Sequence, residues 1–117
     1  MADVSLSLLV LKTFRLDELR AFYHTLGIEF TEEQHGKGPR HLAGMVGDLV
    51  LEFYPVASDG PIDSTTRLGF AVEKLDEVFA AFQAFGSPVV TPPQKSEWGY
   101  RAVVRDPDGR AVEISQR

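Results

Sequence analysis

Leu16-Asp17-Glu18-Leu19-Arg20-Ala21-Phe22-Tyr23-His24-Thr25-Leu26-Gly27 lies without a gap over Leu75-Asp76-Glu77-Val78-Phe79-Ala80-Ala81-Phe82-Gln83-Ala84-Phe85-Gly86, an offset of 75 − 16 = 59 residues. Apolar side chains recur at 16, 19, 22/23 and 26, and again at 75, 78/79, 82 and 85. That spacing is helical and buries one face. The acidic pairs Asp17-Glu18 and Asp76-Glu77 fall in the first turns, where the helix dipole favours negative charge. Gly27 and Gly86 stand where a left-handed C-terminal cap belongs.

Outward from each helix the pattern becomes strand-like. Leu6–Thr13 precedes the first helix and Arg67–Glu73 the second. Ile28–Gln34, His41–Val46 and Leu49–Tyr54 follow the first, and Pro88–Thr91, Tyr100–Arg105 and Arg110–Ser115 follow the second. Gly47-Asp48 and Asp106-Pro107-Asp108-Gly109 are turns, because proline pre-sets one turn position and glycine takes a positive φ. Each half therefore reads β-α-β-β-β, an α+β fold. We expect one domain over residues 1–117, with a module at 1–55, a linker at 56–66 rich in Gly, Pro, Asp and Ser, and a second module at 67–117.

The chain has 117 residues, 44% hydrophobic and 25% charged. A chain of this length buries enough surface for a core without covalent staples. It has no cysteine, which excludes disulfides, thiolate metal sites and cysteine nucleophiles. The net charge of −5 argues against a nucleic-acid partner. No apolar run approaches the length of a membrane span. Met1-Ala2-Asp3-Val4-Ser5 lacks the basic start of a secretory signal, so the expected setting is reducing and cytoplasmic.

Two such modules, the Phe22-Tyr23…Leu26-Gly27 helix ending and the terminal Asp106-Pro107-Asp108-Gly109…Val112-Glu113-Ile114 hairpin resemble the vicinal oxygen chelate superfamily. Glyoxalase I, extradiol dioxygenases, and fosfomycin- and bleomycin-resistance proteins belong to it. The resemblance covers essentially the whole chain. It implies that the modules curl into a cupped mixed β-sheet with helices on the outer face, and that paired modules enclose the site. It also implies a metal position in the enzymes of the superfamily, with a ligand from the first strand (usually His) and one from the last strand (usually Glu) of each module.

Matched residue by residue, the last-strand positions are Glu52 and Glu113, and the first-strand positions are Leu8 and Arg67, again 59 apart. Leucine cannot ligate, and arginine is a cation that pairs with carboxylates instead. A four-ligand zinc site is worth ~10–16 kcal/mol, so losing two ligands removes roughly half of that. The expected reading is no bound metal, with Arg67 bonded to Glu113, Glu52 or both. If a divalent metal does bind, Glu52 and Glu113 are its candidates. A cavity role, plain structural pairing and a surviving metal site all stay open for these glutamates.

Strand parity and hairpin register supply the rest of the candidate site. A two-residue Gly47-Asp48 loop sets Ala43 opposite Glu52 and His41 opposite Tyr54. A three-residue Pro107-Asp108-Gly109 loop sets Val103 opposite Glu113 and Arg101 opposite Ser115. Leu6, Leu8 and Val10 share the cavity face, and Leu9 and Leu11 face the helix. Glu52, Glu113, Arg67, His41, Arg101, Tyr54 and Leu8 are therefore candidate ligand-binding residues. Trp98, in a loop over Pro92–Gly99, either caps the opening or anchors packing.

Other motifs read as structure. His24 is a surface residue. His35-Gly36-Lys37-Gly38-Pro39 is a flexible hairpin end, since no helix follows to make a phosphate cradle. Ser5, Ser7 and Ser58 lack the partners of a nucleophile, and no catalytic residue is assigned. The expected function is small-molecule binding in a cavity between modules, as in bleomycin-resistance-like proteins. The alternative is a lyase, isomerase or dioxygenase of the superfamily that uses an atypical metal site or a glutamate base. A module with a collapsed interior is the third reading. First-strand edges left unpaired point to a homodimer.

Overall fold

The computed structural model describes residues 3–57 and 60–117. Met1 and Ala2, and Ser58 and Asp59 of the expected linker, lie outside the described residues. The chain runs β1 (Leu8–Thr13), α1 (Leu16–His24), β2 (Phe30–Glu33), β3 (His41–Val46), β4 (Leu49–Pro55), β5 (Leu68–Val72), α2 (Leu75–Phe85), β6 (Val89–Ser96), β7 (Gly99–Arg105) and β8 (Ala111–Gln116). Each half is β-α-β-β-β. The strands form two four-stranded mixed sheets, ordered β1-β4-β3-β2 and β5-β8-β7-β6. β1 runs parallel to β4, and β5 parallel to β8, and the remaining ladders are antiparallel. These two parallel pairs carry the repeat into three dimensions.

Both hairpin registers match the sequence expectation. Ala43 faces Glu52 and Val46 faces Leu49, so Gly47-Asp48 is the two-residue turn, with Gly47 at φ 58°. Val103 faces Glu113 and Arg101 faces Ser115. Gly86 caps α2 at φ 93°, as its position implies. α1 differs. It ends at His24, and the chain makes one tighter turn, in which the amides of Thr25, Leu26 and Gly27 bond the carbonyls three residues back. Gly27 then leaves it at φ 88°.

The expected Pro92–Gly99 loop is a hairpin instead. β6 continues to Ser96, and only the turn at Glu97-Trp98 separates it from β7. Prolines fit there for a physical reason. β6 is an edge strand, and its register with β7 slips between Val89 and Thr91 and again between Thr91 and Gln94, so the ladder does not require the missing N–H groups.

The helices cover one face of each sheet, and their apolar stripes meet. Phe22 and Phe82 have ring centres 4.7 Å apart, and Tyr23 contacts Phe53 of its own module at 5.2 Å and Phe70 of the other at 6.0 Å. Leu19, Phe22, Tyr23, Phe53, Leu75, Phe82, Val112 and Ile114 are completely buried in one shared cluster. The opposite face of each sheet carries the alternate residues. Leu8, Val10, Ala43, Met45, Glu52 and Tyr54 stand on it in the first module, and Arg101, Val103, Glu113 and Ser115 in the second.

Candidate functional site

The cup of the C-terminal sheet gathers three of the expected groups around one oxygen. Arg67, at the entrance to β5, donates from Nη2 to Glu113 Oε1 at 3.0 Å, and Arg101 on β7 donates from Nη1 to the same atom at 3.1 Å. The Arg101 guanidinium also lies 5.6 Å from the centre of the Trp98 ring, a cation–π distance. Two guanidinium cations on one carboxylate leave the cup with an excess of positive charge. A cavity of about 200 Å³ opens here, lined by Arg67, Thr91, Gln94, Ser96, Trp98 and Arg101 among others. Trp98 sits at the tip of the β6–β7 hairpin, 70% exposed.

The N-terminal cup is built differently. His41 stacks on Tyr54, with ring centres 4.1 Å apart and planes 9° from parallel. Lys12 Nζ lies 5.4 Å from the centre of the same Tyr54 ring. His41 Nδ1 lies 3.1 Å from the carbonyl of Pro39. Its Nε2 faces Glu33 Oε1 at 3.5 Å and Glu52 Oε2 at 3.9 Å. His41 is 1% exposed, although it lies on the cup face, because Tyr54 covers one side of its ring.

The structure thus assembles the expected residues into two clusters. Arg67, Arg101, Glu113 and Trp98 form one, and His41, Tyr54 and Glu52 the other. Among the described residues, no hydrogen bond or ion pair joins the two clusters within the chain. Arg67 pairs with Glu113 and not with Glu52. Leu8 belongs to neither cluster and is 49% exposed on the cup face of β1. The residues at positions 8, 52, 67 and 113 do not fit the divalent metal that the resemblance attaches to them. Leu8 offers no donor atom, and the Arg67 cation already occupies a carboxylate oxygen of Glu113. A larger, open depression of about 480 Å³ beside α1, lined by Arg20, His24, Glu29 and Phe85 among others, holds none of the expected groups.

Sequence reading missed a third constellation. Arg110 is fully buried and donates from Nη1 to Asp106 Oδ2 at 3.2 Å and Asp108 Oδ2 at 3.0 Å, and from Nη2 to the Lys12 carbonyl at 2.6 Å. Asp106 Oδ1 accepts the amides of Asp108 and Arg110, and Tyr23 donates its hydroxyl to Oδ2 at 2.8 Å. Burial, and then the Asp106 charge and hydrogen bond, raise the Tyr23 pKa far above its ordinary value. The Asp106-Pro107-Asp108-Gly109 turn is therefore an ion network that binds the second module to α1 and β1 of the first. Its one visible signal is that two aspartates and an arginine share a five-residue turn.

Residues 6–114 match the sequence model of the Glyoxalase/Bleomycin resistance protein/Dioxygenase superfamily. An uncharacterized protein of Mycolicibacterium smegmatis is 28% identical over 112 residues, which cover 96% of this chain and 93% of that protein. The crystal structure of TnmS3, an antibiotic binding protein from Streptomyces sp. CB03234, superposes with a TM-score of 0.78 at 26% identity, over 99% of this chain and 98% of that one. Lactoylglutathione lyase from Agrobacterium tumefaciens shares the fold, with a TM-score of 0.69 at 21% identity over 96% and 92% of the two chains. Among the described residues no helix is long and apolar enough to cross a membrane. With the repeated module, the parallel first–last strand pairing and the match over nearly its whole length, the chain belongs to the Glyoxalase/Bleomycin resistance protein/Dioxygenase superfamily.

Proposed function

We propose that this protein binds a small, planar organic molecule bearing an anionic or hydrogen-bond-accepting group, without a metal at the superfamily's central position. The observation that carries this reading is the C-terminal cup. Two guanidinium groups converge on Glu113 beside an exposed indole that one of them already approaches. An exposed indole offers a ligand an aromatic face, and arginine offers a fixed fork of donors. The likeness to TnmS3, an antibiotic binding protein, supports the same class of ligand. The lack of cysteine suits a cytoplasmic setting.

A second copy of the chain would complete the site. Among the described residues no hydrogen bond or ion pair joins the polar clusters of the two cups within one chain, and β1 and β5 each stand at the end of their sheet order. The cup face of the first sheet exposes Leu6, Leu8, Val10 and Met45, each more than two-fifths exposed. The Cα radius of gyration is 14.9 Å, against about 13 Å for a compact chain of this length. In a two-fold dimer the N-terminal cup of one copy faces the C-terminal cup of the other, so Leu8, His41, Tyr54 and Glu52 line the wall opposite Arg67, Arg101, Glu113 and Trp98.

Trp98 is the chain's one tryptophan and reports directly on this site. A panel of planar aromatic natural products, with and without a carboxylate or phenolate, is titrated while indole fluorescence is followed. Saturable quenching is expected, weakened at least tenfold by Arg101→Ala. Uniform failure to quench, or quenching that is indifferent to Arg101, overturns the reading.

A further inference from the structure

We propose that Glu33, His35 and His41 form a divalent-cation site at the rim of the N-terminal cup, separate from the superfamily's central position and suited to zinc. Nothing in this inference depends on the small-molecule reading above.

The starting point is one atom. His41 Nδ1 lies 3.1 Å from the Pro39 carbonyl. A carbonyl only accepts, so Nδ1 carries a proton, and in the neutral ring Nε2 holds the lone pair. This is the arrangement of a metal-ligating histidine, whose second nitrogen donates to a carbonyl or carboxylate and thereby fixes the ring. Stacking on Tyr54 fixes it further. His41 is 99% buried, since its exposure is 1%, and its Nε2 has no hydrogen-bond partner among the described residues. That lone pair points at carboxylates rather than at donors, with Glu33 Oε1 at 3.5 Å and Glu52 Oε2 at 3.9 Å. A buried nitrogen without a hydrogen-bond partner, flanked by two carboxylate oxygens, is a ready ligand position.

The third donor is what favours a metal ion over a proton. His35 Nε2 approaches the same Glu33 oxygen at 3.5 Å, and the donor atoms of Glu33, His35 and His41 all lie within 4.8 Å of one another. Donors bound tetrahedrally to zinc at about 2.0–2.1 Å sit roughly 3.3 Å apart, so the observed spacing needs only a small closure. The backbone already holds the donors on one side of a hairpin. Glu33 and His41 are partners in the β2–β3 ladder. The turn between them is tied by Gly38 N to His35 O at 2.9 Å and by Gln34 Nε2 to Gly38 O at 3.0 Å, with Gly36 at φ 60°. What the sequence shows as a flexible hairpin end is thus the strap that returns His35 to His41.

Two imidazoles and one carboxylate suit borderline divalent ions such as zinc, cobalt and nickel better than magnesium or calcium. His35 is exposed and Glu33 partly so, which leaves room for water at the remaining coordination position. Glu52 stands next to Nε2 as an outer carboxylate partner.

Chelator-treated full-length protein is titrated with zinc in competition with a chromophoric chelator, and with cobalt while its visible spectrum is recorded. One zinc per chain is expected, together with the intense absorption of low-coordinate cobalt and a shift of the His41 Nε2 resonance. His35→Ala alters an exposed side chain and Glu33→Gln a partly exposed one, and both leave the fold intact by circular dichroism. Each weakens zinc on the order of a hundredfold. His24→Ala removes the other histidine–glutamate contact, with Glu29 at 3.1 Å, and leaves zinc binding unchanged. The absence of saturable binding overturns the proposal. So does binding that is indifferent to His35 and Glu33, or a proton on His41 Nε2 that zinc does not displace.

Discussion

Arg67 Nη2 lies 3.0 Å from Glu113 Oε1 where a metal enzyme of this superfamily would place a ligand beside its ion. The pair stands in water, with the Arg67 side chain 57% exposed and Glu113 24% exposed. Solvent screening therefore governs its worth. Arg67→Ala is expected to lower unfolding free energy by less than about 1 kcal/mol. A urea midpoint that falls by the equivalent of 3 kcal/mol would place the pair in a dry cavity instead.

Arg110 is the opposite case. Its guanidinium is buried together with two aspartates, and it reaches β1 through the Lys12 carbonyl. Arg110→Ala leaves Asp106 and Asp108 in the interior without their cation, with Asp106 still held by two amides and the Tyr23 hydroxyl. The expected loss is roughly 3–5 kcal/mol, with the two modules loosened from each other. Denaturant titration measures the loss, and hydrogen exchange at Lys12 and Thr13 follows the loosening. A loss below 1 kcal/mol would mean that the network is not holding the modules together.

These two arginines also mark how far the sequence could be read. Helical spacing, strand parity and the 59-residue offset give both modules, both hairpin registers and the face on which Glu52 and Glu113 lie, because those features are local and periodic. Arg67 was found through the repeat. Arg110 was not, because in a turn sequence a buried cation looks the same as a solvated one, and only the approach of α1 and β1 seals it from water. Likewise, the clash of Pro92-Pro93 with a strand pattern hides the second half of β6, beyond the Pro88–Thr91 strand that the sequence shows, since the register slips that tolerate proline depend on the neighbouring strand. His35 and His41 stand six residues apart with two glycines between them, and their proximity arises only when the hairpin closes.

Tyr23 gives alkaline stability a specific sign. Its folded pKa is raised by burial and by Asp106, while the unfolded chain titrates near 10.0. The stabilisation is present below pH 10, and it is lost progressively as pH rises above that value, by at most about 1.4 kcal/mol per pH unit. Tyr23→Phe is expected to cost about 1–2 kcal/mol at neutral pH, since Asp106 keeps Arg110 as a partner. Its stability should then fall less steeply than the parent's between pH 10 and 11.5. Parallel slopes for the two proteins, followed by thermal unfolding, would show that this hydroxyl does not couple folding to pH.

The apolar row on the first sheet separates the assembled site from an isolated chain. Leu8 and Met45 both flank Val50 in the ladders, so one strip of hydrophobic surface crosses three strands on the cup face. Leu8 and Met45 remain 49% and 56% exposed in the single chain. Both point away from the helix-side core, so a charge at either leaves that core intact. If the second copy covers this strip, Leu8→Asp with Met45→Lys puts unlike charges in the dimer interface where neither has room for its water. Light scattering should then report a monomer for the double variant and a dimer for the parent at micromolar concentration. The melting temperature of the variant should become independent of protein concentration, while the parent's should rise with it. Ligand quenching of Trp98 should weaken in the monomer, although residue 98 lies on the other sheet, because the opposite wall has left. A parent that is monomeric, or a monomeric variant with undiminished Trp98 quenching, would place the complete binding site within one chain.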